Sequence, residues 1–392
     1  MRSALHIVAA AAAVTLLSIQ PMKAETTTAD KALEALFKTD TVDTSVFRAD
    51  FLAKVPAAEV TQRISDMKRD YGPLIGVSAA GNGFMLRFEH VEVPARIILD
   101  AEERIIGLWF GPLQGDIDAL VAAIKALPGR TSLLIATDGK PVASYEADTP
   151  LAVGSAAKLA ILLAVKNAIA EKRFTWDTVV ELDPGWKSLP SSQLRDWPDR
   201  TPLTIATLAN LMISISDNTA TDALIRILGR ESVDAISPRN APFPTTRELF
   251  TLKTQENAPL RAEWRTSDAA HRRAILDRLA NTPVPPLIAV SPAATHEVEW
   301  FLTAHELCDL LDATADMPST SINPGLVDRD YWQNVAYKGG SEVGVYNVSS
   351  RLTDKHGRVH CVVATWNGDG TLDKNRLIPL YQGLVRGLGT QH

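Results

Sequence analysis

Ser155-Ala156-Ala157-Lys158 opens a strongly apolar stretch, Ala152 to Ala170, that only Lys158 and Lys166 interrupt. Those two charges make it a core helix and not a membrane span. Residues three apart on a helix share a face. A fold that accepts this segment must therefore bury a lysine beside a serine in the helix's first turn. Ser216-Asp217-Asn218 and Lys338-Gly339-Gly340 follow in that order.

The three elements suit one chemistry. A serine hydroxyl is a weak nucleophile at neutral pH and needs a base within hydrogen-bond reach; the spacing predicts that Lys158 touches Ser155. Burial disfavours the ammonium and prepares the amine to accept a proton. The helix start adds free N–H groups and a positive dipole end, so the Ser155 N–H is a natural half of an oxyanion hole. Lys338 brings a second positive charge. Ser216 offers a hydroxyl to pass a proton to a leaving group, and Asn218 an amide to hold Lys158 or a substrate carbonyl.

Each motif alone has a plainer reading. Ser155 starts a helix, Ser216-Asp217-Asn218 looks like the cap of a helix beginning at Thr219, and paired glycines at a strand end mark a turn or a close approach. Together, in order and in context, they resemble the class A β-lactamases and penicillin-binding serine acyltransferases, whose signatures are S-x-x-K, S-D-N and K-T-G. The similarity includes Leu211 to Asp222 and covers roughly residues 113–390. It implies Ser155 as the acylated nucleophile, Lys158 as its base, Ser216 as proton relay and Asn218 as a positioning group. Lys338 would be the electrostatic partner of Ser216 and of a substrate carboxylate. Ser155, Gly340 and Ser341 would line the oxyanion and substrate site, with the Ser341 N–H as second donor.

Two departures bear on the substrate. The middle residue of the third motif is usually a Thr or Ser whose hydroxyl binds a carboxylate, and here it is Gly339. The Glu-x-x-Leu-Asn loop that activates the deacylating water in class A enzymes is absent. The nearest acids, Glu248 and Glu256, do not fit, and Glu248 reads as structural. Efficient penicillin hydrolysis is not expected.

At 392 residues the chain suggests two domains. Its net charge of −6 and lack of basic runs or glycine-rich phosphate loops argue against nucleic-acid or nucleotide partners. Residues 1–24 carry Arg2, an apolar run from Ile7 to Leu17 and Ala24, which reads as a secretory signal peptide. An uncleaved anchor is the alternative; after cleavage no stable span is expected, and the location is periplasmic or secreted. The two cysteines, Cys308 on a predicted helix and Cys361 on a predicted strand, are expected as buried free thiols. His356 and His360 lie in a turn and strand with no metal-ligating spacing, so neither metal nor cofactor is expected.

Apolar spacing predicts helices over 28–38, 45–55 and 58–71, then strands over 74–80, 83–91, 93–100 and 104–110. This is an α+β domain, residues 25–112, that resembles the cystatin or NTF2 type. After a linker at 111–115, residues 113–392 read as a helix (116–126), a hairpin around Asp138-Gly139-Lys140, the nucleophile helix and a largely helical middle. Three strands (334–338, 343–352, 359–366) and a helix (372–388) close the chain. The fold class is thus α+β: an antiparallel sheet flanked by helices with an inserted helical lobe. Residues 257–292 form a lid or surface insertion. The two-domain layout is similar to β-lactamase-related proteins of clavulanic-acid gene clusters, which implies an esterase or amidase acting on a small-molecule ester, amide or β-lactam. A β-lactamase or D-alanyl-peptidase, and a non-hydrolytic sensor with an acylable pocket, are the alternatives. Oligomeric state is not legible.

Overall fold

The computed structural model describes residues 26–390 except 90, 112, 114–115, 190, 280–281, 287–288 and 291–292, so the expected signal peptide lies outside the described residues. The chain forms two compact units, one running through Ala123 together with Ile378–His392, the other Ile124–Leu377. The linker read at 111–115 places the boundary at 112/113.

In the first unit, α1 (Thr26–Lys38) buries Leu33, Leu36 and Phe37, and α3 (Ala57–Tyr71) buries Val60, Ile64, Met67 and Tyr71, each set on one helical face. Four antiparallel strands follow as a meander: β1 (Leu74–Ala80), β2 (Gly83–Phe88), β3 (Glu92–Leu99) and β4 (Ile105–Phe110). Phe88 receives Phe37 and Tyr71 edge-on, with centroids 5.4 and 5.7 Å away. The helix expected over 45–55 is broken. Phe47 bridges to Ile105 and the Arg48 N–H donates to the Ile105 carbonyl (3.0 Å), so this backbone is committed to β4. Only a 3₁₀ turn, Thr44–Val46, and the single-turn α2 (Ala49–Leu52) remain. The division between units falls within α4 (Ile117–Lys125).

The second unit begins with the hairpin β5 (Arg130–Thr137) and β6 (Lys140–Tyr145), then β7 (Leu151–Ala152), a 3₁₀ turn over Gly154–Ala157 and α5 (Lys158–Ala170). The helical middle contains a small ribbon of β8 (Val179–Glu181) and β9 (Pro202–Thr204). Its helices are α6 (Ile205–Ser214), α7 (Asn218–Leu228), α8 (Arg230–Ile236), α9 (Thr246–Leu252), α10 (Ala258–Thr266) and α11 (Ala269–Leu279). After β10 (Phe301–Leu302), α12 (Ala304–Thr314) and α13 (Pro318–Ser321), the chain returns through β11 (Asn334–Glu342), β12 (Val345–Thr353) and β13 (Val359–Asn367). The five-stranded antiparallel sheet has the order β11-β12-β13-β5-β6, so the helical lobe is inserted between β6 and β11. The closing helix, α14 (Ile378–Gly389), belongs to the first unit.

Three expectations change here. First, the strand expected to stop at residue 338 continues to Glu342, paired throughout with β12, so the paired glycines lie inside an edge strand. Second, 257–292 is no loose lid: Trp264, Ile275, Leu276 and Leu279 of α10 and α11 join the main core. Third, Cys308 and Cys361 are not free thiols but form a disulfide, Cα–Cα 5.9 Å, that joins α12 to β13. α12 packs across the sheet and brings together residues 53 apart in sequence, a contact that no local spacing announces.

Candidate active site

The nucleophile turn is enclosed on nearly every side. From residue 151 to residue 162 every side chain is buried except Ser155, which is half-buried. α5 packs against α6, α7, α8 and α12, which places Lys158 in the interior of the lobe, 2% exposed. On the other side stands the free edge of β11. A Cβ on Gly340 would fall 1.9 Å from the Val153 carbonyl oxygen and 2.8 Å from the Ser155 nitrogen, so only glycine lets the strand approach this closely. A Cβ on Gly154 would lie 3.3 Å from the Ser341 nitrogen. The backbone nitrogens of Ser155 and Ser341 therefore both lie at the contact between this turn and β11.

The second motif is held from below. Asp217 caps α7 through the Ala220 N–H (2.8 Å) and also accepts from the Gln193 and Leu194 N–H groups (2.6 and 3.0 Å). The cap reading thus holds for Asp217. It also fixes the neighbours: Ser216 sits at φ +61°, an unfavourable conformation for a residue with a side chain. The Asn218 Nδ2 donates to the Leu189 carbonyl (3.0 Å), which orients the amide so that Oδ1 faces Lys158.

Lys158 Nζ donates to the Ser216 carbonyl (2.7 Å), Ser216 Oγ (3.0 Å) and Asn218 Oδ1 (2.7 Å). Those three acceptors match the three donors of an ammonium. The expected hydrogen bond to Ser155 is absent among the described residues, because Ser155 lies in the 3₁₀ turn ahead of α5 and the ammonium is fully engaged by the second motif. Burial pulls the Lys158 amine down to about 7, against the opposing pull of Asp217, Asp222 and Glu342. Lys338 Nζ donates to Ser216 Oγ (3.2 Å) and to the Gly339 carbonyl (2.7 Å); burial and the neighbouring Lys158 push it well below the usual lysine range. Ser216 Oγ thus bridges two lysines that resist carrying charge together.

The acids are otherwise occupied. Glu248 completes a capping box with Thr245 at the start of α9 and pairs with Arg230 (2.8 Å), the structural role expected of it. Glu342, overlooked in the sequence, packs over Gly154. Its carboxyl is pushed up to about 7 by burial and faces Lys253, Glu299, Lys158 and Lys374. Lys253 is hydrogen-bonded to Glu299 and lies 3.9 Å from Glu342. A second overlooked residue is Tyr337, whose hydroxyl stands over Gly339. Strand alternation carried that signal, since residues 337 and 339 share a face. Among the described residues no cluster of His, Cys, Asp and Glu is arranged to hold a metal, and no helix is long and apolar enough to cross a membrane.

Residues 112–286 match the model of the β-lactamase enzyme family, a span that contains the first two motifs. Solved structures similar to this chain include a β-lactamase from Sphaerobacter thermophilus (20% identity, 69% of this chain and 94% of that one, TM-score 0.49). A β-lactamase from Xanthomonas campestris pv. campestris is similar at 16% identity, 69% and 97% coverage and TM-score 0.49, and PBP-A at 15%, 70% and 96%, and 0.44. No curated protein matches the sequence.

Proposed function

We propose that this β-lactamase-like serine hydrolase acts through an acyl-enzyme on Ser155, as an exported esterase or amidase that turns over β-lactams slowly. One observation supports this above the others: Ser216 Oγ lies within hydrogen-bond distance of both Lys158 and Lys338, and Lys158 follows the half-buried Ser155 by three residues. When Lys158 is neutral, two N–H groups still hold the Ser216 carbonyl and Asn218 Oδ1, and the lone pair is free. The Ser155 proton passes to Lys158 by way of Ser216 Oγ, the atom that the lone pair faces, as Ser155 Oγ bonds to the substrate carbonyl carbon. The oxyanion is held by the Ser155 and Ser341 N–H groups. As the bond to the leaving group breaks, the proton moves from Lys158 through Ser216 Oγ to the departing nitrogen or oxygen. Water then hydrolyses the ester on Ser155.

Slow release follows from the state of the acids. Glu248 is locked by Arg230 and its own helix cap, and Glu342 faces Lys253, so neither is free to activate water. Intact-mass measurements with benzylpenicillin and p-nitrophenyl acetate test the reading. The expected result is one acyl group per chain, lost slowly after either probe, and none on Ser155→Ala. Undiminished labelling of that variant refutes the proposal. A permanent adduct with both probes would favour a ligand-binding sensor.

A further inference from the structure

We infer that Lys253 and Glu299 are positioning residues for the acylation of Ser155: with Glu342 they form a buried ion cluster that ties together two chain segments touching the nucleophile turn. This rests on the acyl-enzyme reading above and deepens it.

Each segment meets residues 151–155 close to one carboxyl of the cluster. On the first, Trp300 follows Glu299 and its carbonyl accepts from the Val153 N–H (2.9 Å), while Phe301 and Leu302 of β10 pair with Ala152 and Leu151. On the second, Glu342 ends β11 directly after Ser341. Its Cγ lies 3.6 Å, and the Ser341 nitrogen 3.3 Å, from the place that a Cβ on Gly154 would take. Lys253, the residue that closes α9, hydrogen-bonds to Glu299 Oε1 and stands 3.9 Å from Glu342 Oε2. One ammonium therefore holds a carboxyl from each segment, although Lys253 and Glu299 are 46 residues apart in sequence. The Lys253, Glu299 and Glu342 side chains are 5%, 1% and 16% exposed. Against the pull of burial, Glu299 and Glu342 keep the Lys253 amine above its ordinary range, so it stays charged at neutral pH. Two carboxyls face that cation, and Glu299 Oε2 is buried with no hydrogen-bond partner among the described residues. Well-packed apolar side chains would often hold a fold as firmly. What ions add is direction. A charge-assisted hydrogen bond fixes where its partners stand, and an error of about 1 Å at a reacting centre costs about a hundredfold in rate. The segment from Val153 to Ser155, bonded at Val153 and overlain at Gly154, carries both the nucleophile and its N–H.

The test separates position from packing. Lys253→Met with Glu299→Leu replaces the pair by apolar side chains of similar size, so the protein is expected to melt like the parent. The burst of p-nitrophenol from p-nitrophenyl acetate, measured at a pH above the Lys158 titration, gives the acylation rate and the ester concentration at which it saturates. The rate is expected to fall by about tenfold to a hundredfold. The saturating concentration should hold, because the nucleophile turn is disturbed and the binding of the ester is not. Hydrolysis of the acyl-enzyme passes through the same oxyanion and should slow by a similar factor. A double variant that melts and acylates like the parent overturns the inference while leaving the acyl-enzyme intact. If that variant does not fold, Glu342→Gln decides: it keeps the shape, removes one charge from the cluster and is expected to slow acylation by about threefold to tenfold. An unchanged rate in that folded protein overturns the inference. If the parent shows no Ser155-dependent labelling, the acyl-enzyme reading falls and this inference with it.

Discussion

The two units solve the burial problem in opposite ways. In the first, every buried residue described is apolar, tyrosine or glycine, and charges such as Arg48 with Asp50 or Lys68 with Asp40 pair at the surface. In the second, Lys158, Asp217, Asp222, Lys253, Glu299 and Lys338 are all buried. Burying an ionisable group costs several kcal/mol unless partners recover it, and replacing such groups by apolar ones is often stabilising. The first unit therefore buries only groups that favour a stable core, while the second also buries Lys158 and Lys338, the two lysines that the acyl-enzyme proposal uses. Asp222 illustrates the strain: its carboxyl is pushed up to about 6 by burial despite accepting from the Thr246 and Arg247 N–H groups.

The contrast is tested most severely at Lys158. Lys158→Met keeps the bulk of the side chain and removes the base, so acylation by p-nitrophenyl acetate is expected to fall by about two to four orders of magnitude. Circular dichroism should report a folded protein. An acylation rate within threefold of the parent would mean that the buried lysine is structural and that the second unit differs from the first only in composition.

The disulfide gives the next largest effect. Cys308→Ser with Cys361→Ser releases a 53-residue loop in the second unit, and the expected cost is about 2–4 kcal/mol in urea unfolding. The acylation rate well below the melting temperature should hold, because the hydrogen bonds that hold Lys158, Ser216 and Asn218 involve neither α12 nor β13. A loss of acylation without a loss of stability would tie the bridge to the site instead.

What the sequence made legible was local. The three motifs, the Asp138-Gly139 hairpin and the amphipathic faces of α1 and α3 depend on neighbours within a turn or two. The unreadable parts depend on partners far along the chain. The break at Phe47 needs Ile105, the pairing of Cys308 needs Cys361, and the seat of Tyr337 needs Gly325. Lys158 falls between these cases: its burial was legible from the apolar run. Its turn toward Ser216 and Asn218 instead of Ser155 was set by the packing of α5 against α7.

Protonation sharpens the comparison further. The Lys158 amine titrates near 7 in the folded protein against an ordinary 10.5. Between those values the unfolded chain holds a proton that the folded chain has released, so stability rises with pH in that window and is flat below it. The slope contributed by Lys158 approaches about 1.4 kcal/mol per pH unit. Urea unfolding at pH 7, 8 and 9 should show the rise in the parent and a smaller one in Lys158→Met, where Lys338, lowered in the same direction, remains. Acylation should climb through pH 7 and level off above it, because the neutral amine is the active form. A parent whose stability and acylation are both flat from pH 6 to 9 would refute a depressed lysine.

The smallest effect belongs to the first unit and serves as the control that the contrast requires. Lys68 reaches Asp40 (3.2 Å) and the Thr39 carbonyl (3.3 Å) from an exposed face of α3. An exposed pair gains little Coulomb energy in water and loses side-chain entropy, so Lys68→Ala is expected to cost no more than about 0.5–1 kcal/mol. It should leave the pH dependence of unfolding between 7 and 9 as it is in the parent, since the partners stay solvated in both states. The measurement is the same urea series used for Lys158→Met. If Lys68→Ala altered that slope as much as the buried substitution does, the linkage would come from net charge and not from burial, and the distinction between the two units would lose its physical basis.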